Sequence, residues 1–258
     1  MTPPVLRASE NPIIVPSMVR PSANDLEIIG TFNPAVVRDD DGGVVALVRV
    51  AERRRDDPPG QPAATYYDPT SGRLAVRRWR GDEPGLDTSD PRVITFEGRT
   101  WLTSISHLRV ARSRDGIHFD VDAAAGMYPA TADEAFGIED ARVTRIGDTC
   151  WINYTAVSDQ GIATALASTR DFRTFERHGI IFPPPNRDVT IFPEMIGGRY
   201  VALHRPMPEG IGEPAIWIAT SPDLLAWGGH RCIARARPGQ WDDAKIGGGA
   251  VPFRVRDG

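Results

Sequence analysis

One short pattern occurs four times in this chain and begins a fifth time. Asp90-Pro91-Arg92-Val93 leads into an apolar run that ends at Trp101-Leu102, and Asp140-Ala141-Arg142-Val143 leads into one that ends at Trp151-Ile152. The first copy is Asn33-Pro34-Ala35-Val36-Val37, followed by an Asp-Asp-Asp-Gly-Gly turn and Val44-Val45-Ala46-Leu47. Another runs from Ile191-Phe192-Pro193-Glu194 through Gly197-Gly198 to Tyr200-Val201-Ala202-Leu203, and the last starts at Gly249-Ala250-Val251 and runs to Asp257-Gly258. Starts near 33, 90, 140, 192 and 249 are 50 to 57 residues apart. A period of that size built from strand-like segments predicts an all-β propeller, with the polar residue heading each copy on the innermost strand.

A second half recurs after each start. Leu108 to Phe119, Ala163 to Phe175 and Ile216 to Trp227 share an apolar strand, a Ser or Thr, an Asp-centred turn and a trailing aromatic. Alternating small and apolar residues suit a half-buried strand, and Asp bonds its own downstream backbone in tight turns. Each copy therefore reads as a four-stranded blade, with Phe119, Phe175 and Trp227 filling the space between neighbouring sheets. With 23 prolines and 25 glycines the chain is punctuated too often for long helices. No linker divides it, so residues 1–258 read as one five-bladed β-propeller whose fifth blade is incomplete. Judged from its own repeat, the chain reads as short by ~50 residues or more, as a fragment would be.

Composition excludes several functions. A net charge of −4, with basic residues interleaved among acids, argues against a nucleic-acid surface. No apolar run is long enough to span a bilayer, and Met1-Thr2-Pro3-Pro4-Val5 lacks the layout of a signal peptide. Cys150 and Cys232 show no metal-ligand spacing and read as free thiols of a cytoplasmic protein. The remaining histidines, His107, His118, His178 and His230, show no ligand spacing either. No metal or organic cofactor is expected.

Polar residues that converge on a propeller axis cannot be serving the core, and buried charges are costly unless paired or used. The candidates heading the copies are Asn33, Asp90 with Arg92, Glu139-Asp140 with Arg142, and Asn186-Arg187-Asp188. For Asp90, Arg92 and Arg142 a purely structural role tying adjacent strands competes evenly with a functional one, whereas for Asp140 the functional role leads.

These segments resemble glycoside hydrolase family 130. The resemblance rests on Phe32-Asn33-Pro34, Leu47-Val48-Arg49, Asp87 to Val93, Thr103 to His107 and Gly137 to Arg142. It continues through Asn153-Tyr154-Thr155, Asn186-Arg187-Asp188, Phe192-Pro193-Glu194, Leu203-His204-Arg205-Pro206, Trp241-Asp242 and Lys245-Ile246-Gly247. It runs in order from about Asn11 to the last residue. It implies a five-bladed propeller acting on β-mannosides as an inverting phosphorylase, which turns a β-linked manno-oligosaccharide and inorganic phosphate into α-mannose 1-phosphate. It also implies that Asp140 is the single catalytic acid, its proton passing through the sugar's 3-hydroxyl. Ala141 stands where the family usually has proline.

Asn33, Arg49, Asp90, Arg92, Glu139 and Arg142 would then hold the sugar, and Arg187, His204, Arg205 and Lys245 the phosphate. The chemistry is consistent with that assignment. An inverting hydrolase needs a second carboxylate to activate water, whereas phosphate is already a nucleophilic anion and needs cations to orient it. A hydrolase on the same fold and an inactive sugar-binding propeller are the alternatives. Linkage, acceptor sugar and oligomeric state, a homo-oligomer included, are left open by the sequence.

Overall fold

A computed structural model describes residues 7–208 and 210–256. Met1 to Val5 and the closing Asp257-Gly258 turn therefore lie outside the described residues. In chain order the strands are β1 (Leu26–Arg38), β2 (Val44–Arg54), β3 (Ala63–Asp68), β4 (Arg73–Arg78), β5 (Val93–Phe96), β6 (Arg99–Leu102), β7 (Ile105–Ser113) and β8 (Asp120–Met127). There follow β9 (Gly137–Ile146), β10 (Thr149–Ser158), β11 (Gly161–Thr169), β12 (Glu176–Phe182), β13 (Asn186–Ile191), β14 (Tyr200–Pro206), β15 (Ile216–Ser221) and β16 (Gly228–Ala234). Helix is confined, among the described residues, to two three-residue 3-10 turns, Pro16–Met18 and Ala132–Glu134. The expected all-β character is observed.

Two of the predicted units form as read. Strands β9 to β12 make one antiparallel meander and β13 to β16 another. The first two copies behave differently. Strand β7, in the second half of the copy starting near 90, pairs with β2 from Val44↔Ser113 to Glu52↔Ile105, and β8 pairs with β7. The first half of the copy near 33 and the second half of the copy near 90 thus share one four-stranded sheet. Residues 63–102 between them fold into two separate hairpins, β3–β4 and β5–β6. Side-chain alternation is the same whichever neighbour a strand selects, so the sequence period alone did not reveal this exchange. Past β16, residues 235–256 carry no regular strand, including the start near 249.

Apolar cores lie between units. Ala35, Val45, Leu47, Leu108 and Val110 of the first sheet pack against Ile138, Ala141, Val143, Ile152 and Tyr154 of the second. Leu166, Ile181 and Phe182 of the second pack against Val189, Ile191, Ala202, Ala219 and Leu224 of the third. Phe175 and Trp227 pack against these two cores as predicted, whereas Phe119 is buried in a separate cluster with Val19, Ala46, Val48, Val50 and Ala111, on the first sheet rather than between sheets.

A parallel bridge, Ser106↔Gly137, joins β7 to β9. A Cβ on Gly137 would stand 2.8 Å from the Ser106 nitrogen, and Gly137 has φ 120. Only glycine fits there, and it is what brings β9 beside β2. On the other flank Thr144 donates to the Ile191 carbonyl (3.0 Å) and Asn153 to the Val189 carbonyl (2.7 Å), docking β13 against the second sheet.

Candidate active site

The first strand of each sheet carries one bulge at the same place. Pairing slips between Phe32 and Ala35 of β1, between Glu139 and Arg142 of β9, and between Arg187 and Thr190 of β13. The bulged residues are Asn33, Asp140 and Asp188, with φ of 32, 46 and 54. Asn and Asp tolerate this left-handed region better than other side chains with a Cβ, and a bulge re-aims its side chain. Just before each bulge stand Phe32, Glu139 and Arg187. Opposite them on the second strand stand Arg49, Thr155 and Arg205. One backbone device thus presents three different sets of chemistry.

Asp140 is the hub of the first two sets. Its Oδ1 accepts from Asn33 Nδ2 (2.9 Å) and from Arg49 NH1 (3.0 Å). Its Oδ2 takes no hydrogen bond among the described residues. Arg49 also donates through NH2 to Glu139 Oε1 (2.7 Å) and through Nε to Ser106 Oγ (3.3 Å), and it lies over the Phe32 ring at 5.4 Å. Every arm of that guanidinium is used, so Asp140 is held in one orientation. Burial pushes the Glu139 carboxyl above the usual carboxylate range; Arg49 opposes the rise, Asp140 beside it adds to it, and Arg187 opposes it again. The charge of Arg187 is therefore felt at this cluster.

In the third set Arg205, nearly buried, donates through Nε to Asp188 Oδ2 at 2.7 Å. Arg187, opposite Arg205 in register, makes no hydrogen bond among the described residues, and its Nε is a buried donor without a partner. Two guanidiniums face each other across one strand pair with a single carboxylate between them. Such a place suits an oxyanion.

Other candidates fall elsewhere. Arg92 chelates Asp90 through NH2 (2.6 Å) and Nε (3.0 Å), holding Asp90 down to about 2. Arg92 is solvent-exposed, and neither residue bonds to the Asp140 cluster among the described residues. They head the β5–β6 hairpin rather than a first strand, and so miss the bulge. Arg142 spends its Nε on the Gly249 carbonyl (2.8 Å) and NH1 on its own neighbour Ala141, so it anchors the 249 segment; with Asn33 it borders a cavity of about 430 Å³ beneath Gly249 to Val251.

His204 is a correction: it does not join Arg205. Adjacent strand residues point to opposite faces. The His204 ring is buried against Phe182, with Nδ1 on Asn186 Nδ2 (3.0 Å) and Nε2 on His230 Nδ1 (3.1 Å), and burial beside His230 lowers it to about 4. Both ring nitrogens are spent in the core. Lys245 is exposed and unpaired among the described residues, two residues before Gly247, which packs on the Asp188–Arg205 pair. Tyr154 is a core residue, its hydroxyl on Glu134 at 2.6 Å, whereas Trp241 is exposed. Both cysteines are free.

Sequence reasoning had left Asp188 without a definite role and Ser106 without any. The signal that could have found Asp188 is its place in the trio Asn33, Asp140 and Asp188, each one step after a site-lining residue and ahead of an apolar run.

Comparisons with known proteins bear on this geometry. A family model described as beta-1,4-mannooligosaccharide phosphorylase, of glycoside hydrolase family 130, matches residues 91–258. The chain is 45% identical over 258 residues to the beta-1,2-mannobiose phosphorylase of Listeria innocua serovar 6a, covering 98% of this chain and 72% of that protein. The solved structure of the Listeria innocua enzyme in complex with beta-1,2-mannobiose superposes with a TM-score of 0.91 over the same shares. A 1,2-beta-oligomannan phosphorylase of Thermoanaerobacter sp. is 36% identical over 157 residues, which are 60% of this chain and 51% of that protein.

Proposed function

The chain belongs to glycoside hydrolase family 130, and from that footing we propose that it is an inverting β-mannoside phosphorylase. In this reading it cleaves the β-mannosidic bond of a manno-oligosaccharide with inorganic phosphate, releasing α-mannose 1-phosphate and a shortened acceptor. The names of its relatives support the activity, and the 45% identical Listeria innocua enzyme favours the β-1,2 linkage. The described sheets would form part of a five-bladed propeller, a single catalytic unit acting in the cytoplasm.

One observation carries the proposal. Arg187 and Arg205 face each other across β13 and β14 with one carboxylate, Asp188, paired to Arg205, and the neighbouring sheet holds Asp140 through Oδ1 with its Oδ2 unbonded among the described residues. Retaining and inverting hydrolases both require two working carboxylates, in the inverting case about 6.5–9.5 Å apart. Here guanidiniums take the second place. Asp140, fixed through Oδ1 by Asn33 and Arg49, would deliver its proton from Oδ2 toward the departing glycosidic oxygen, by way of the sugar's 3-hydroxyl. Phosphate, oriented by Arg187 and Arg205, would form its bond to the anomeric carbon as the glycosidic bond breaks on the opposite face. Attack from that side inverts the configuration, and binding both reactants in line supplies the proximity term.

The test is mannose 1-phosphate release by the full-length protein from β-1,2- and β-1,4-mannobiose, with and without phosphate. Release that requires phosphate, prefers the β-1,2 substrate and falls by on the order of 10²–10⁴ in Asp140→Asn is expected of a positioned general acid. Free mannose formed without phosphate would overturn the proposal.

A further inference from the structure

Resting on that phosphorylase reading, we propose that Asp188 is a positioning residue for the phosphate site. Its task would be to aim Arg205, and the Gly247-Gly248 strap would hold the pair in place. Asp140 also pairs with an arginine, but with NH1 of Arg49 on the preceding sheet and together with Asn33, whereas Asp188 turns from the same left-handed position onto the neighbouring strand of its own sheet.

The geometry of the contact is specific. Asp188 takes only the Nε–H of Arg205. An arginine gripped at Nε keeps both terminal NH2 groups, the two donors that form a fork on one edge of phosphate. Neither of those groups has a protein partner among the described residues. Arg187 stands directly opposite on the same strand pair, also without one. Like charges placed directly opposite repel each other across a sheet, and Asp188 offsets only one of the two. The site is left with excess positive charge and several free N–H groups, a combination completed by a tetrahedral dianion.

The strap explains why Asp188 cannot swing away. Gly247 lies so close that a Cβ on it would stand 2.4 Å from Asp188 Oδ2 and 3.1 Å from Arg205 Nε. On Gly248 a Cβ would stand 2.6 Å from the Asp188 carbonyl oxygen. Arg142 pins the next residue through the Gly249 carbonyl. The backbone therefore packs on the ion pair where any side chain would displace it. Lys245 enters at the head of the same strap.

Two measurements on the full-length protein test this. Asp188→Gly removes the carboxylate without straining a left-handed backbone, and Asp188→Asn keeps the shape and removes the charge. Expected for Asp188→Gly is a rise of about tenfold or more in KM for phosphate, as for other groups that orient a ligand-binding side chain, with Asp188→Asn falling between it and the wild type. KM for mannobiose should stay close to wild type, while Tm should fall in both variants because Arg205 loses its only carboxylate partner among the described residues. Calorimetric titration with inorganic phosphate alone should show the same ranking. A rise in mannobiose KM with phosphate KM unchanged, or a fall in Tm with both KM values unchanged, would overturn the assignment.

The two levels fail separately. A wild type that turns over with phosphate while the Asp188 variants bind phosphate normally defeats only the positioning role. Phosphate binding that depends on Asp188 without mannose 1-phosphate release defeats only the phosphorylase reading. A wild type that binds no phosphate defeats both.

Discussion

The outer hairpins and the inner bulges of the three sheets are both repeated structures, yet they differ in what is repeated. At the outer turns the side chains recur with the backbone. Ser113 with Asp115, Thr169 with Asp171 and Ser221 with Asp223 each collect the next backbone N–H groups, as in Ile117 N and His118 N on Asp115 Oδ1, both at 2.8 Å. Arg173 and Thr174 do the same on Asp171, and Leu225 and Ala226 on Asp223. Each turn also holds one left-handed residue: Gly116, Phe172 or Leu224. At the inner bulges the backbone recurs but the chemistry changes, from Asn33 to Asp140 to Asp188. Where the chain needs only a turn, repetition keeps the side chain. Where the same backbone recurs with new side chains, the repeat has been put to use.

Making two inner bulges alike should break function most. Asn33→Asp would place a carboxyl oxygen against Asp140 Oδ1 across the 2.9 Å now spanned by a hydrogen bond. Two carboxylates so close cannot both ionise, so the pair should hold a proton to higher pH. Turnover should fall on the order of 10- to 100-fold, and the alkaline limb of the pH–rate profile should move upward. A full pH–rate profile checks both, and wild-type turnover in the variant would mean that Asn33 does not set the state of Asp140. At an outer turn the converse holds. Asp171→Ala strips the acceptor from Arg173 N and Thr174 N on an exposed hairpin, which should lower Tm by about 2–6 °C with turnover unchanged. Lost activity with an unshifted Tm would erase the distinction between turns and bulges.

This contrast also explains which parts were legible in the sequence. The turns were, because Ser/Thr-x-Asp makes its bonds within a few residues and needs no knowledge of the partner strand. Asn33, Glu139 and Asp140 stood out at the heads of the copies, Arg49 came through the family resemblance alone, and the structure joins those four in one network. Sheet membership was not legible for the second copy, since β7 could satisfy the same alternation beside β6 or beside β2. His204 was misplaced for a related reason. Its neighbour in sequence, Arg205, faces the site, and alternation sends His204 to the other side. The place of Asp188 in the trio with Asn33 and Asp140 was legible, but its bond to Arg205 was not, because pairing onto the next strand is not written in residue type.

The face behind the site gives the smallest and most diffuse effect. His204 in β14 and His107 in β7 both lie one residue from a site-lining side chain, and both are buried. Burial, with Arg109 beside it, lowers His107 to about 3, and burial beside His230 lowers His204 to about 4, against an ordinary 6.5. Each binds its proton more readily when unfolded. Their contribution to stability is therefore complete above about pH 6.5 and declines as pH falls toward those folded values. Glu52, packed against His107, acts in the opposite sense, because burial pushes its carboxyl up and the fold favours its acid form. That gain is taken up as the pH falls from the raised folded value to the ordinary 4.5, so it partly offsets the loss from the two histidines. Tm should hold level from pH 7.5 to about pH 6.5 and then drop toward pH 5, and His204→Asn should lower Tm at neutral pH while flattening part of that slope. A Tm independent of pH over that range would mean that the buried face is silent and that acid sensitivity belongs to the bulges alone.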